Sequence, residues 1–454
     1  MTQPQLSERI DDDPPYIYRS WRTVCAVSFL VYASLGSVLA TLPLFLHDSL
    51  KLSWMKTGWV FAAVPLGSMF SIRILRRARQ TQYDARLGAA LGQMLAAALA
   101  MFVAWAGQNG HWAGCDWRLA IVPVAAYGVL VPLIQGWLQD VAAGTAPTNP
   151  NASREWRLWG AVGFVLPAWA TEFIASRIAS AEWGRFEILF AISGWTGIAA
   201  AILLLVARQH ETTVPIIEAP TAPYSVPHEP GVGVVLALLL IGALLRCHDL
   251  WMTPYIEAVL LQHSITEPLT FRLAVVSHVV EVATLYALGR FLLTLGVRLT
   301  LLLAVVGWLA RCLLLSWIAQ TPLDPKEALT ALVIAQFIGG ASTILFFGPI
   351  AALLGRDIGS AKQGLGAVVS WVGLIAAIAV LIAGIAASGV LDPQPSIARV
   401  LVEKLPEELA LGESAIQLRG WAGLWFLSSL LPLLAFPLVL FATTRRSKAG
   451  SPAT

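Results

Sequence analysis

The residues best able to do chemistry sit where a polar group is least expected. The stretch from Phe271 to Leu293 is apolar enough to span a bilayer, yet it carries His278 and Glu281 near its middle. Three residues apart on a helix, the two side chains share one face, and that face must look into protein or a wet cavity rather than lipid. The preceding hydrophobic stretch repeats the pattern with Arg246 and Asp249, also three apart. The two polar faces are expected to point at each other across a transport cavity.

Glu281 is the deepest acid, about eleven residues or roughly 16 Å into its span at 1.5 Å per residue. A charge at such depth costs at least ~2.5–3.5 kcal/mol on insertion scales, so it needs a reason. A carboxyl whose surroundings alternate between dry and cation-lined can load a proton on one side of a membrane and release it on the other. The competing reading is a structural pair with Arg246 or His278 that holds two spans together. Arg246 and Asp249 could instead close an ion pair within their own helix. His278 could bond a substrate, shuttle a proton or simply partner the acid.

In the first half of the chain, Arg157 opens a span that begins REWRLWGAVGF. It could present a planar five-donor group to an oxygen-rich substrate, or anchor the helix at a cytoplasmic surface. His248, Asp140 and Arg311 read as bystanders or structural partners. Ser37, Thr41, Tyr127 and Gln135 could line a cavity, but uncharged polar residues in membrane helices bond their neighbours readily.

The elements that must position these groups follow from composition. Hydrophobic residues make up 57% of the chain and charged residues 13%, far from the balance of a soluble protein and typical of a polytopic membrane protein. Windows of about twenty apolar residues mark spans. Twelve are read, at 22–46, 54–75, 87–108, 119–142, 157–179, 186–207, 232–258, 270–294, 298–320, 327–354, 363–388 and 420–443. The expected fold class is therefore all-α and integral to the membrane, twelve helices in two six-helix bundles.

The longest break, RQHETTVPIIEAPTAPYSVPHEPG, holds five prolines and cannot form one regular element. It divides the chain into a tail (1–21), a first bundle (22–207), a linker (208–231), a second bundle (232–443) and a final tail (444–454). Arg73, Arg76, Arg77, Arg79 and Arg86 lie between spans two and three, and Arg445, Arg446 and Lys448 in the last tail. All fall on one side if both termini are cytoplasmic, which fits an inner cell membrane. The first twenty residues lack a short apolar core before a cleavage site, so the first span is expected to stay. The loop from Asp392 to Arg419 reads as short surface helices.

Trp21, Trp54, Trp112, Trp117, Trp156, Trp317 and Trp421 stand at span ends and are expected to form an interfacial belt. Gly339, Gly340 and Gly348 in span ten, and Gly364, Gly366, Gly373 and Gly384 in span eleven, are expected to serve close helix approach. The four cysteines are scattered singly, so they read as small core residues, with neither disulfide framework nor metal site.

No HExxH, GxSxG or GxxxxGK[ST] occurs, which speaks against an integral membrane enzyme such as an acyl or glycosyl transferase and against an ATP-driven pump. No cofactor, metal or nucleic-acid partner is expected. The expected partners are a small solute, protons and the bilayer, with the monomer as the working unit. A non-transporting ligand sensor remains an alternative, as does a symporter of sugars or organic acids.

Several short segments resemble the nucleoside:H+ symporter family of the major facilitator superfamily: SFLVYASLGSVLATL in span one, WRLWGAVGF in span five, SHVVEVATL in span eight, GWLARCLLLSW in span nine and WAGLWF in span twelve. The resemblance implies alternating access between two bundles and nucleoside uptake driven by protons. It also implies that Arg157, Phe164 and Glu281 line the central site. Against that pattern, Ala161 replaces a hydroxyl residue, His278 an amide, and Arg246 and Asp249 an amide pair. Thr343 stands where an acid would hold the sugar hydroxyls. A site made for a neutral nucleoside has here become more charged, so either the solute differs or Asp249 replaces the missing acid.

Overall fold

The computed structural model describes residues 15–39, 41–81, 84–108, 116–145, 152–178, 185–206, 232–247, 251–265, 269–359, 365–391 and 413–444. All regular structure among them is helical, as an apolar surroundings demands: a helix satisfies its backbone N–H and C=O groups within one segment. In chain order the helices are α1 (Pro15–Leu39), α2 (Trp54–Gln80), α3 (Ala85–Gln108), α4 (Ile121–Thr145), α5 (Ala152–Ile178) and α6 (Arg185–Val206). Then follow α7 (Val232–Cys247), α8 (Met252–Gln262), α9 (Thr270–Gln320), α10 (Pro325–Gly359), α11 (Leu365–Leu391), α12 (Glu413–Ser428) and α13 (Leu430–Thr444).

Helix α9 is 51 residues long but breaks at Gly296, whose φ of 72° and ψ of 169° leave the helical region. Such a positive φ suits glycine, which has no Cβ to clash. The expected spans 270–294 and 298–320 are thus two crossings joined by a one-residue turn. Other ends are fixed by caps: Ser53 accepts from the Lys56 N–H at the start of α2, and Asp84 from the Arg86 N–H ahead of α3. Span seven arrives as two helices, α7 and α8, and span twelve as α12 and α13, parted at Ser429. Among the described residues, eight helices are long and apolar enough to cross a membrane, α9 counted once.

Two bundles result. In the first, α1 packs on α5 and α6, α3 on α4 and α6, and α2 on α4; in the second, α9 packs on α10, α12 and α13, while α7 packs on α11 and α13. Hydrogen bonds across helices supplement the packing. Ser28 donates to the Trp156 carbonyl at 2.7 Å, Ser34 and Ser193 meet at 3.1 Å, and the Tyr255 hydroxyl donates to the Leu315 carbonyl at 2.6 Å. Large apolar side chains such as Leu95, Phe102, Trp105, Leu303 and Phe337 face outward, the surface a bilayer covers.

The halves meet along α2 with α11 and α5 with α9. A Cβ added to Gly58 would lie 2.7 Å from the Gly384 Cα, so the first crossing exists only because both positions lack side chains. Near it, Trp54 of the first half stands edge-on to Trp251 (5.3 Å) and Trp421 (5.7 Å) of the second, with His47 stacked on it at 4.0 Å. Trp169 of α5 takes Arg272 of α9 over its ring at 4.9 Å. These contacts gather at one end of the molecule, called here the Trp54 end. The opposite end carries Arg73, Arg77, Arg290 and Arg298, all exposed.

The expected tryptophan belt needs correction. Trp317 is exposed, but Trp21, Trp54, Trp156 and Trp421 are buried at 7%, 4%, 7% and 1% exposure. The neighbouring helices cover these rings, since an indole gains as much from close packing as from the interface. Of the four cysteines, Cys25 and Cys312 are buried. The linker, the last tail and the loop up to residue 412 lie outside the described residues.

Candidate functional site

Three helices converge on the polar face that the sequence singles out. Helix α7 carries Arg246 in its last turn, α9 carries Ser277, His278 and Glu281, and α5 of the other half carries Phe164. Nη1 of Arg246 donates to Oε1 of Glu281 at 2.5 Å and Nη2 to Oε2 at 3.3 Å. The fork of the guanidinium thus meets the fork of the carboxylate, the strongest geometry available to this pair of residue types. The Arg246 side chain is 35% exposed and Glu281 15%, so the cation stands in front and the anion behind.

One turn toward the Trp54 end, His278 packs against the Phe164 ring at 4.8 Å and 31°. This contact crosses from one half to the other. His278 Nδ1 also lies 3.3 Å from the Ser277 hydroxyl. Phe164 is placed by a close crossing of its own: a Cβ at Gly36 would fall 2.5 Å from the Phe164 carbonyl oxygen, so α1 and α5 are in backbone contact there. Glu281, His278, Arg246 and Phe164 therefore lie around one face of α9, near mid-depth.

Thr343 is 5% exposed and its hydroxyl donates to the Gly339 carbonyl of its own helix at 2.9 Å. Arg157 lies in the first two turns of α5, and its side chain is outside the description; Asp249 and His248 are likewise outside the described residues. Arg246, read alternatively as paired within its own helix, is held across helices by Glu281. Ser37 and Thr41 donate to helix carbonyls one turn back, as small hydroxyls in apolar helices tend to do.

A second arginine, Arg311, sits deep in the same bundle at 3% exposure and donates to Gln336 Oε1 at 3.2 Å. Gly339 lies so close that an added Cβ would sit 2.5 Å from the Arg311 Cζ. Sequence reasoning left Trp54 and His47 out of any functional role, and no local signal marks them. Only the fold reveals that Trp54 reaches into the other half.

Among the described residues, no three His, Cys, Asp or Glu side chains are grouped to hold a metal ion. An open pocket lies in the first bundle toward the Trp54 end. Its lining is apolar, including Val38, Phe45, Leu99, Val124 and Phe190, except for Tyr127, whose buried hydroxyl has no hydrogen-bond partner among the described residues.

No family model matches the chain, and no curated protein matches it by sequence. Solved structures do. The nucleoside transporter NupG superposes with a TM-score of 0.68 at 14% identity, over 92% of this chain and 98% of that one. A bacterial homologue of the human lysosomal transporter Spinster, in an inward-facing and occupied conformation, gives 0.61 at 14% identity over 97% and 100%. A structure of proton dependent oligopeptide transporters gives 0.63 at 9% identity over 94% and 98%. At these identities the likeness carries the fold: this chain has the all-helical, two-bundle membrane architecture of those transporters.

Proposed function

We propose that the protein is a secondary transporter that moves a small polar, nucleoside-like solute across the cell membrane by alternating access, coupled to protons. The observation that carries this reading is the Arg246–Glu281 pair, part-exposed at mid-depth on the face of α9 that meets the other half through His278 and Phe164. A purely structural pair gains from being sealed. One left accessible can exchange its partner.

The mechanism follows from linkage. A proton on Glu281 removes one side of a charge-assisted fork and weakens its hold on Arg246. The freed guanidinium then offers its donors to the solute, together with His278, Phe164 and Arg157 of the opposing half. Proton and solute favour the same state, so each raises the other's affinity. Movement between states needs contacts that break at one end while others form. The gathering of Trp54, Gly58 and Gly384 at one end is a closed gate in this reading, and the arginine-rich end is cytoplasmic by the positive-inside rule. Both termini then lie in the cytoplasm, and a monomer suffices. Asp249 and Thr343 remain candidate solute ligands.

The direct test is uptake of labelled uridine and adenosine into vesicles under an imposed pH gradient, with Glu281→Gln beside the parent. Gradient-driven accumulation that is lost in the variant, while exchange at equal pH persists, supports the coupling role. Accumulation that survives unchanged removes Glu281 from the proton step.

A further inference from the structure

We infer that the solute carries a negative charge, a carboxylate or phosphate that takes the place of the Glu281 carboxylate on the Arg246 guanidinium. This rests on the transport reading above and narrows its substrate class.

Three observations lead there. First, the guanidinium is the more accessible member of the pair, 35% against 15% exposed, so an incoming solute meets the cation before it meets the acid. Second, Arg246 is held in bidentate fashion. A neutral hydroxyl or amide that took the place of the protonated acid would trade a charge-assisted fork for weaker bonds and leave the guanidinium charge unmatched. An anion conserves the charge and the fork geometry at Arg246, and a proton accepted by Glu281 conserves the charge behind it.

Third, few charges surround the pair among the described side chains. His278 stands one turn away on α9 itself. Arg311, further along α9, is sealed against Gln336 of α10. Among described side chains, the neighbouring stretches of α11, α12 and α13 bring no charge; α5 brings Glu155 and Arg177 near its ends, and α8 brings Glu257, beyond Trp251. Arg157 and Asp249 belong to α5 and to the segment after α7. For a carboxylate solute the exchange is balanced: one proton enters with one negative charge, Glu281 turns neutral, and Arg246 changes partners with no net charge added; a phosphate monoester balances in the same way in its singly ionised form.

Binding to purified protein by calorimetry, with uridine, uridine 5′-monophosphate and orotate as probes, tests this. The expected result is that at least one anionic probe binds, that it binds more tightly as pH falls, and that Glu281→Gln raises its affinity about tenfold or more and flattens the pH dependence. Uridine gains nothing from the variant. Glu281→Gln keeps the side-chain volume, and Arg246→Lys supplies a second readout: a point charge in place of the fork weakens the anion while leaving the protein folded. Proton-driven uptake of uridine that neither anion competes with overturns the inference and leaves the transport reading standing. Anion affinity equal in parent and Glu281→Gln overturns it as well. Absence of binding by all three probes, in parent and variant alike, overturns both.

Discussion

The second bundle holds two arginines at membrane depth, and their surroundings differ in every respect that matters. Arg246 faces a carboxylate in a two-point fork and keeps a third of its side chain accessible. Arg311 donates to a neutral amide at 3.2 Å and is 3% exposed, with Gly339 pressed against it. An accessible charge with an exchangeable partner can bind and release. A sealed charge held by an amide can only fix two helices, α9 and α10, in register. The type of residue is the same; accessibility and the charge of the partner separate the proposed working site from the structural one.

Substitutions at the two sites should therefore separate cleanly. The largest effect is expected for Arg246→Met, with uptake down by about 100-fold or more, as for truncating one member of a buried charge pair. The folded yield should fall far less, and vesicle uptake against size-exclusion yield measures both. If Arg311→Met removes uptake equally while the protein stays folded, the contrast between the two arginines is wrong. Glu281→Gln comes next, abolishing accumulation against a gradient while exchange continues.

Gly58→Ala should slow uptake several-fold, because its methyl would sit 2.7 Å from the Gly384 Cα and hold the Trp54 end apart. Cross-linking between cysteines placed on α2 and α11 reads that separation. Gly339→Ala should cost about 1–3 kcal/mol of stability, as overpacking does, by forcing the Arg311 guanidinium to move. Uptake per folded molecule should not change, and detergent thermal unfolding reports the loss. The smallest effect is expected at Tyr255→Phe, where losing the bond to the Leu315 carbonyl costs about 0.5–1.5 kcal/mol with transport intact.

These residues also mark how far a linear reading reaches. Helices and their approximate ends follow from hydrophobic runs, since a bilayer admits few other structures, and even the turn at Gly296 falls between the expected eighth and ninth spans. Small residues at helix crossings were legible too, though not which glycine meets which. The polar face of α9 was visible because an acid in the middle of an apolar stretch needs an explanation. Its partner was not: Glu281 had Arg246 and His278 as alternatives, and Arg246 had Asp249 within its own stretch. The tryptophans misled, because an indole at a span end suits the interface and the packed interior equally well.

The order of apolar runs, prolines and basic loops by itself fixed a helical membrane protein with an acid and a base buried at mid-depth. Whether those two would meet, and which arginine would remain open while the other was sealed, was decided only when α5, α7, α9 and α10 packed together. Depth is a property of one helix and can be counted along the chain. Pairing and accessibility depend on the rotation and approach of several helices at once, and no local stretch of sequence contains that information.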